Sequence, residues 1–103
     1  MRDIIDTVSG KKKREARKAE ALENANSSDP MIRRRAAMYP DRLPLEIQQK
    51  LAHDPDANVR WVLINHAGDV IINQMRNDPH PIIRKKAKEL LNPYSRGPFG
   101  LGE

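Results

Sequence analysis

A chain of 103 residues holds one small domain and leaves no room for a second independent core. With 38% apolar and only 4% aromatic residues, that core has to be assembled from small and aliphatic contacts. A net charge of +5 favours acidic partners, and the lack of any cysteine excludes disulfides, Fe–S clusters, thiolate zinc sites and cysteine nucleophiles, as expected of a reducing, cytoplasmic setting.

In chain order, residues 1–10 read as a short arm carrying Ile4, Ile5 and Val8 and ending at Ser9-Gly10. Asp3 and Asp6 interrupt its apolar residues and a basic run follows, so no secretory signal is expected. Residues 11–28 read as a basic N-terminal helix. Lys11, Lys12, Lys13, Arg14, Arg17 and Lys18 put six positive charges into eight residues, opposed only by Glu15. Such a run is usually a solvated face, but here few opposite charges stand at helical spacing, so the segment repels itself until something anionic binds. The helix has no bulky apolar face, and no apolar run in the chain, Trp61-Val62-Leu63-Ile64 included, approaches the ~20 residues of a membrane span. No membrane partner is expected. Ala16, Ala19, Leu22 and Ala25 recur every three residues and predict a narrow stripe lying on the segment that follows.

From residue 29 onward the chain is periodic. Asp-Pro occurs at Asp29-Pro30, Asp54-Pro55 and Asp78-Pro79, at intervals of 25 and 24 residues. After each comes an aliphatic residue and an arginine: Ile32-Arg33, Val59-Arg60 and Ile83-Arg84. One helical turn further stand Ala36, Leu63 and Ala87. Ile47 and Leu51 precede Asp54 by seven and three residues, as Ile71 and Met75 precede Asp78. Each unit reads as a short helix, a breaker-containing connection, a second helix and then Asp-Pro. Proline is tolerated at the first helical position, where its missing N–H would be unpaired anyway, and the aspartate before it is read as the helix cap. Ile32 to Val59 spans 27 positions and Val59 to Ile83 spans 24, which we assign to a shorter loop after the first Asp-Pro.

These residues resemble the leucine-rich repeat variant, a relative of the HEAT-type α-solenoids. The stretch Ile32-Arg33-Arg34-Arg35-Ala36-Ala37-Met38-Tyr39-Pro40, then Leu43-Pro44-Leu45-Glu46-Ile47 and Leu51-Ala52-His53-Asp54-Pro55, looks like one full unit. Val59 to Asp78-Pro79 is a looser copy, and Ile83 to Leu91 a first helix alone. The resemblance covers residues 29–92. It implies an all-α fold, a short right-handed α-solenoid of two to three ~24-residue helix pairs, and no particular activity. Some members carry a cysteine-ligated cluster at the N-terminus, for which this chain has no ligands. Residues 93–103, with three glycines and two prolines, are expected to form a disordered tail, or a docking peptide using Tyr94, Phe99 and Leu101.

The charges divide into two sets. Arg33, Arg60 and Arg84 recur in every unit, so they are assigned to the unit's own construction, paired with an Asp-Pro aspartate of the same or neighbouring unit. The next two residues do not recur: Arg34-Arg35, Trp61-Val62 and Lys85-Lys86. Equivalent positions on stacked units lie ~10 Å apart, so Arg34, Trp61 and Lys85 would form one row. Trp61 has two readings: a core residue buried on a neighbouring helix, which is favoured, or a platform on which a base stacks.

His53, His66 and His80 are 13 and 14 residues apart at different unit positions, so they are read as surface or turn residues and no metal is expected. No phosphate-cradling glycine loop or nucleophilic serine motif is present. Some HEAT-like solenoids are DNA glycosylases, but one tryptophan and two tyrosines make a poor catalytic cavity. The sequence therefore predicts a non-enzymatic, cofactor-free module for an acidic macromolecule, nucleic acid or nucleoprotein first. Lys11, Lys12, Lys13, Arg14, Arg17, Lys18, Arg34, Arg35, Lys85 and Lys86 would supply charge, with Trp61 as an optional stacking contact. The alternative is a protein–protein adaptor or small inhibitor docking by the repeat surface or the aromatic tail. Open repeat ends also favour self-association.

Overall fold

Capping residues, prolines and aliphatic spacing cut the described residues into six α-helices. They are α1 (Arg2–Ala25), α2 (Pro30–Ala37), α3 (Leu45–Ala52), α4 (Ala57–Ile64), α5 (Asp69–Gln74) and α6 (Pro81–Leu91), with 3₁₀ turns at Pro40–Arg42 and Met75–Asn77. This computed structural model describes residues 2–92, with side chains from residue 11, and no strand occurs among them. The expectations for the tail 93–103 and for the side chains of Ile4, Ile5 and Val8 lie outside the described residues.

The arm and the basic helix are not separate elements. α1 runs unbroken through Ser9-Gly10 from Arg2 to Ala25. One interior glycine costs about 1 kcal/mol relative to alanine, too little to end a helix whose next residues are all good helix formers. The expected alanine stripe is also corrected. Ala21 and Ala25 are buried against α2, while Ala16, Ala19 and Leu22 face solvent. A three-residue interval falls 60° short of a full turn at each step, so such a stripe spirals off the contact; Ala21 and Ala25, four apart, stay on it.

Helices α2, α4 and α6 pack side by side, with α1 on α2, and α3 and α5 contact each other on the same stack. The least principal extent, 19 Å, corresponds to two helix layers of ~10 Å each. Leu51, Val59, Leu63, Ile64, Ile71, Met75 and Ile83 fill the space between the layers.

The starts of α2, α4 and α6 share one device. Asp29, Asp56 and His80 each accept the N–H of the residue two further on, at 2.9, 2.7 and 3.2 Å. Asp-Pro therefore caps a helix only at Asp29-Pro30. Asp54 and Asp78 stand two residues ahead of their caps and are buried, because each carboxylate receives the arginine from the first helix of its own unit.

Arg33 donates from Nε and Nη2 to Asp54 at 2.7 and 3.1 Å, and Arg60 likewise to Asp78 at 2.8 and 3.3 Å. The remaining Nη1 donates to a backbone carbonyl six residues back: Ser27 for Arg33 (3.0 Å), Asp54 for Arg60 (2.6 Å) and Asp78 for Arg84 (2.8 Å). Asp54 and Asp78 also accept the N–H of Asp56 and His80, and Ser27 Oγ accepts that of Asp29 in the same way. The recurring position is thus Ser27, Asp54, Asp78, in step with the arginines. The three extra residues of the first unit lie in the connection between α2 and α3, which holds the Pro40–Arg42 turn, and not in the loop after Asp-Pro.

These two aspartate roles carry different energies. Asp78→Ala strands the Arg60 guanidinium in the interior and is expected to cost about 3–5 kcal/mol. Asp29→Ala removes only a cap, about 1 kcal/mol. Urea denaturation followed by circular dichroism reads the difference; equal losses would refute the assignment.

Candidate functional site

A helix turns 100° per residue, so two positions past an inward residue the side chain points the opposite way. Val59 and Ile83 are buried, and Trp61 and Lys85 accordingly face outward, with Arg34 partly exposed at the matching place on α2. Trp61 is 38% exposed, so the favoured core reading is corrected. Among the described residues, nothing buries that position of α4. Arg34, Trp61 and Lys85 hold one helical position on three successively packed helices. Of the next residues, Arg35 is exposed, while Val62 and Lys86 are half-buried.

Lys11, Lys12, Lys13, Arg14, Arg17 and Lys18 are all exposed on α1. Ion pairing separates the cations. Among the described residues, salt bridges join only Arg33 to Asp54 and Arg60 to Asp78. The carboxylate of Asp54, by hydrogen bond first and by charge second, raises the Arg33 guanidinium above its already high pKa against the opposing pull of desolvation. None of the cations assigned to a partner has a carboxylate of its own there.

The structure brings two of these cations together where α1 crosses α2. Arg17 from α1 and Arg35 from α2 line one open groove of about 280 Å³ with Arg42 and Tyr39 of the following connection. Glu20 is the single carboxylate on its wall, and Ala21 and Ala36 form part of its lining. The guanidinium carbon of Arg42 lies 4.1 Å from the Tyr39 ring centroid, a cation–π contact that holds both side chains. Tyr39 stays 44% exposed. Three guanidinium groups around an exposed ring suit an anion attached to a planar group. Tyr39 and Arg42 escape sequence reasoning because they sit in a turn, and only the crossing of α1 over α2 makes that turn the side of a groove.

The histidines do not converge. His53 and His66 are exposed and His80 caps α6. Among the described residues no three His, Cys, Asp or Glu side chains gather where a metal ion would sit, and no helix is long and apolar enough to cross a membrane.

Comparison with known proteins found no matching family model, no matching curated protein and no matching solved structure.

As the sole tryptophan, Trp61 reports on its own surroundings. Its fluorescence is expected to be quenched readily by iodide and much less by caesium, because cations occupy the flanking positions. A core tryptophan would resist both ions.

Proposed function

We propose that this chain is a short right-handed α-solenoid of two to three helix pairs, of the leucine-rich repeat variant kind, that binds nucleic acid without catalysing a reaction on it. Support for the solenoid comes from a repeated arrangement: Arg33 and Arg60 each bond the aspartate that closes their own unit, and Arg60 and Arg84 each bond the backbone carbonyl of the aspartate that closes the unit before. A cysteine-free chain of this kind suits a cytoplasmic setting.

One observation carries the binding proposal. The arginines that build the stack are consumed by carboxylates or carbonyls, whereas the remaining basic side chains of α2, of α6 and of α1 from Lys11 onward reach solvent without an ion-pair partner among the described residues. Arg34 and Lys85 would hold backbone phosphates on either side of Trp61, on which a base of a single strand would stack. The groove of Arg17, Arg35 and Arg42 would seat a further phosphate beside Tyr39. The basic run of α1 would add sequence-independent attraction, and no element among the described residues is shaped to read base edges in a groove.

Fluorescence anisotropy with labelled single-stranded and duplex oligonucleotides, from about 50 to 200 mM salt, tests this. Neutralising ~5 phosphates gives a log–log slope between about −3.5 for a single strand and −4.5 for a duplex. Replacing Arg17 and Arg35 by alanine is expected to flatten the slope by about 2. Trp61→Ala is expected to weaken single-strand binding by about 1–3 kcal/mol and leave duplex binding nearly unchanged. Absence of binding at the low-salt end would eliminate the proposal.

A further inference from the structure

We propose that α6 carries a docking site for a carboxylate of a partner protein, centred on the open edge of the Arg84 guanidinium.

Three arginines hold one position in this fold, and the first two define what the position accepts. Arg33 and Arg60 are each anchored through Nη1 to the carbonyl six residues back, and each turns its Nε–Nη2 edge to an aspartate that follows a helix. Arg84 has the same anchor, doubled: Nη1 donates to Asp78 O at 2.8 Å and Pro79 O at 3.0 Å. Its Nε–Nη2 edge meets no carboxylate among the described residues. The guanidinium is held in advance at the orientation that binds a carboxylate twice elsewhere in the chain, which lowers the ordering cost of filling it a third time.

The surroundings indicate the occupant. Arg84, Lys85 and Lys88 line one cleft with Pro81, Glu89 and Asn92. Lys88 stands where α2 has Ala37 and α4 has Ile64, both fully buried under the adjoining unit. A charged, exposed residue there disfavours another apolar helix pair and favours an acidic segment. Residues 93–103 are by composition poorly suited to the role. In both inner units the aspartate comes three residues after Leu51 or Met75 of an apolar second helix, whereas the single acidic side chain of residues 93–103, Glu103, follows Gly97, Pro98, Gly100 and Gly102. A second copy offers no free equivalent either, since its Asp54 and Asp78 already hold Arg33 and Arg60. We therefore commit to an aspartate- or glutamate-bearing segment of another protein. This inference rests on the arginine geometry and is independent of nucleic-acid binding.

The test follows the arginine Nε–H signals of the isotope-labelled full chain by NMR. In the free chain Arg84 is expected to exchange with water faster than Arg33 and Arg60. The probe is a blocked peptide reproducing residues 45–56, the segment that fills Arg33, and its control carries asparagine at the Asp54 position. The parent peptide is expected to shift the Arg84 signal and slow its exchange, and the control to bind about tenfold more weakly. Lys88→Glu, which leaves the Arg84 anchor intact, is expected to weaken the parent peptide, and Arg84→Lys to weaken it about tenfold with unchanged circular dichroism. Equal binding of the two peptides would overturn the proposal. So would an Arg84 signal already protected in the free chain and released by Glu103→Gln, or one protected only at high protein concentration. A signal moved by a single-stranded oligonucleotide and not by the peptide would make this a phosphate site instead.

Discussion

The pairing of an arginine in the first helix of a pair with the aspartate that closes the same pair is the interaction on which the architecture rests. Removing two charges from water costs several kcal/mol per ion, and the cost is met only when geometry is good and the leftover donors and acceptors are filled. Both conditions hold. Each of Arg33 and Arg60 gives two hydrogen bonds to a carboxylate and one to a carbonyl, and Asp54 and Asp78 each accept a backbone N–H as well. No buried side-chain nitrogen or oxygen among the described residues lacks a partner. Asp54 is a double junction, because its carboxylate receives Arg33 while its own carbonyl receives Arg60. Ser27, Arg33, Asp54, Arg60, Asp78 and Arg84 thus form one continuous ladder across the helices.

A polar ladder of this kind suits a chain with little core material. Among the described residues seven large side chains are fully buried, and α1 is held to α2 mainly by alanines. Apolar burial of that size tolerates several relative shifts of neighbouring helices. A bidentate ion pair does not, since a displacement of one residue removes both hydrogen bonds. The ladder therefore supplies register where packing alone is permissive. With register settled, Trp61 and Lys85 face outward two positions past buried Val59 and Ile83, and Arg34, two positions past half-buried Ile32, holds the matching place on α2.

Much of this was legible in the chain itself. Repeating Ile32-Arg33, Val59-Arg60 and Ile83-Arg84 announced helices built alike, and the expected pairing of arginine with an Asp-Pro aspartate is met by Arg33 and Arg60 but not by Arg84, which bonds carbonyls instead. The first unit misled because Asp29-Pro30 copies the dipeptide of Asp54 and Asp78 while holding the position of Asp56 and His80. Only the arginine tells them apart, since Asp29 meets a helix end and Asp54 meets Arg33. The alanine stripe misled for a different reason: periods of three and of four look alike over so few residues, and only Ala21 and Ala25 stay in line.

Local chemistry was enough for the division into short helices, most of the inward aliphatic positions and the excess of positive charge, because each depends on neighbours within one or two turns. Contacts between distant segments had to be seen. Whether a helix covers Trp61, whether Arg17 meets Arg35 beside Tyr39 and Arg42, and whether Arg84 finds an acid as Arg33 and Arg60 do are questions about which surfaces come to face each other. Their answers lie in how the helices pack, and no spacing along the chain encodes them.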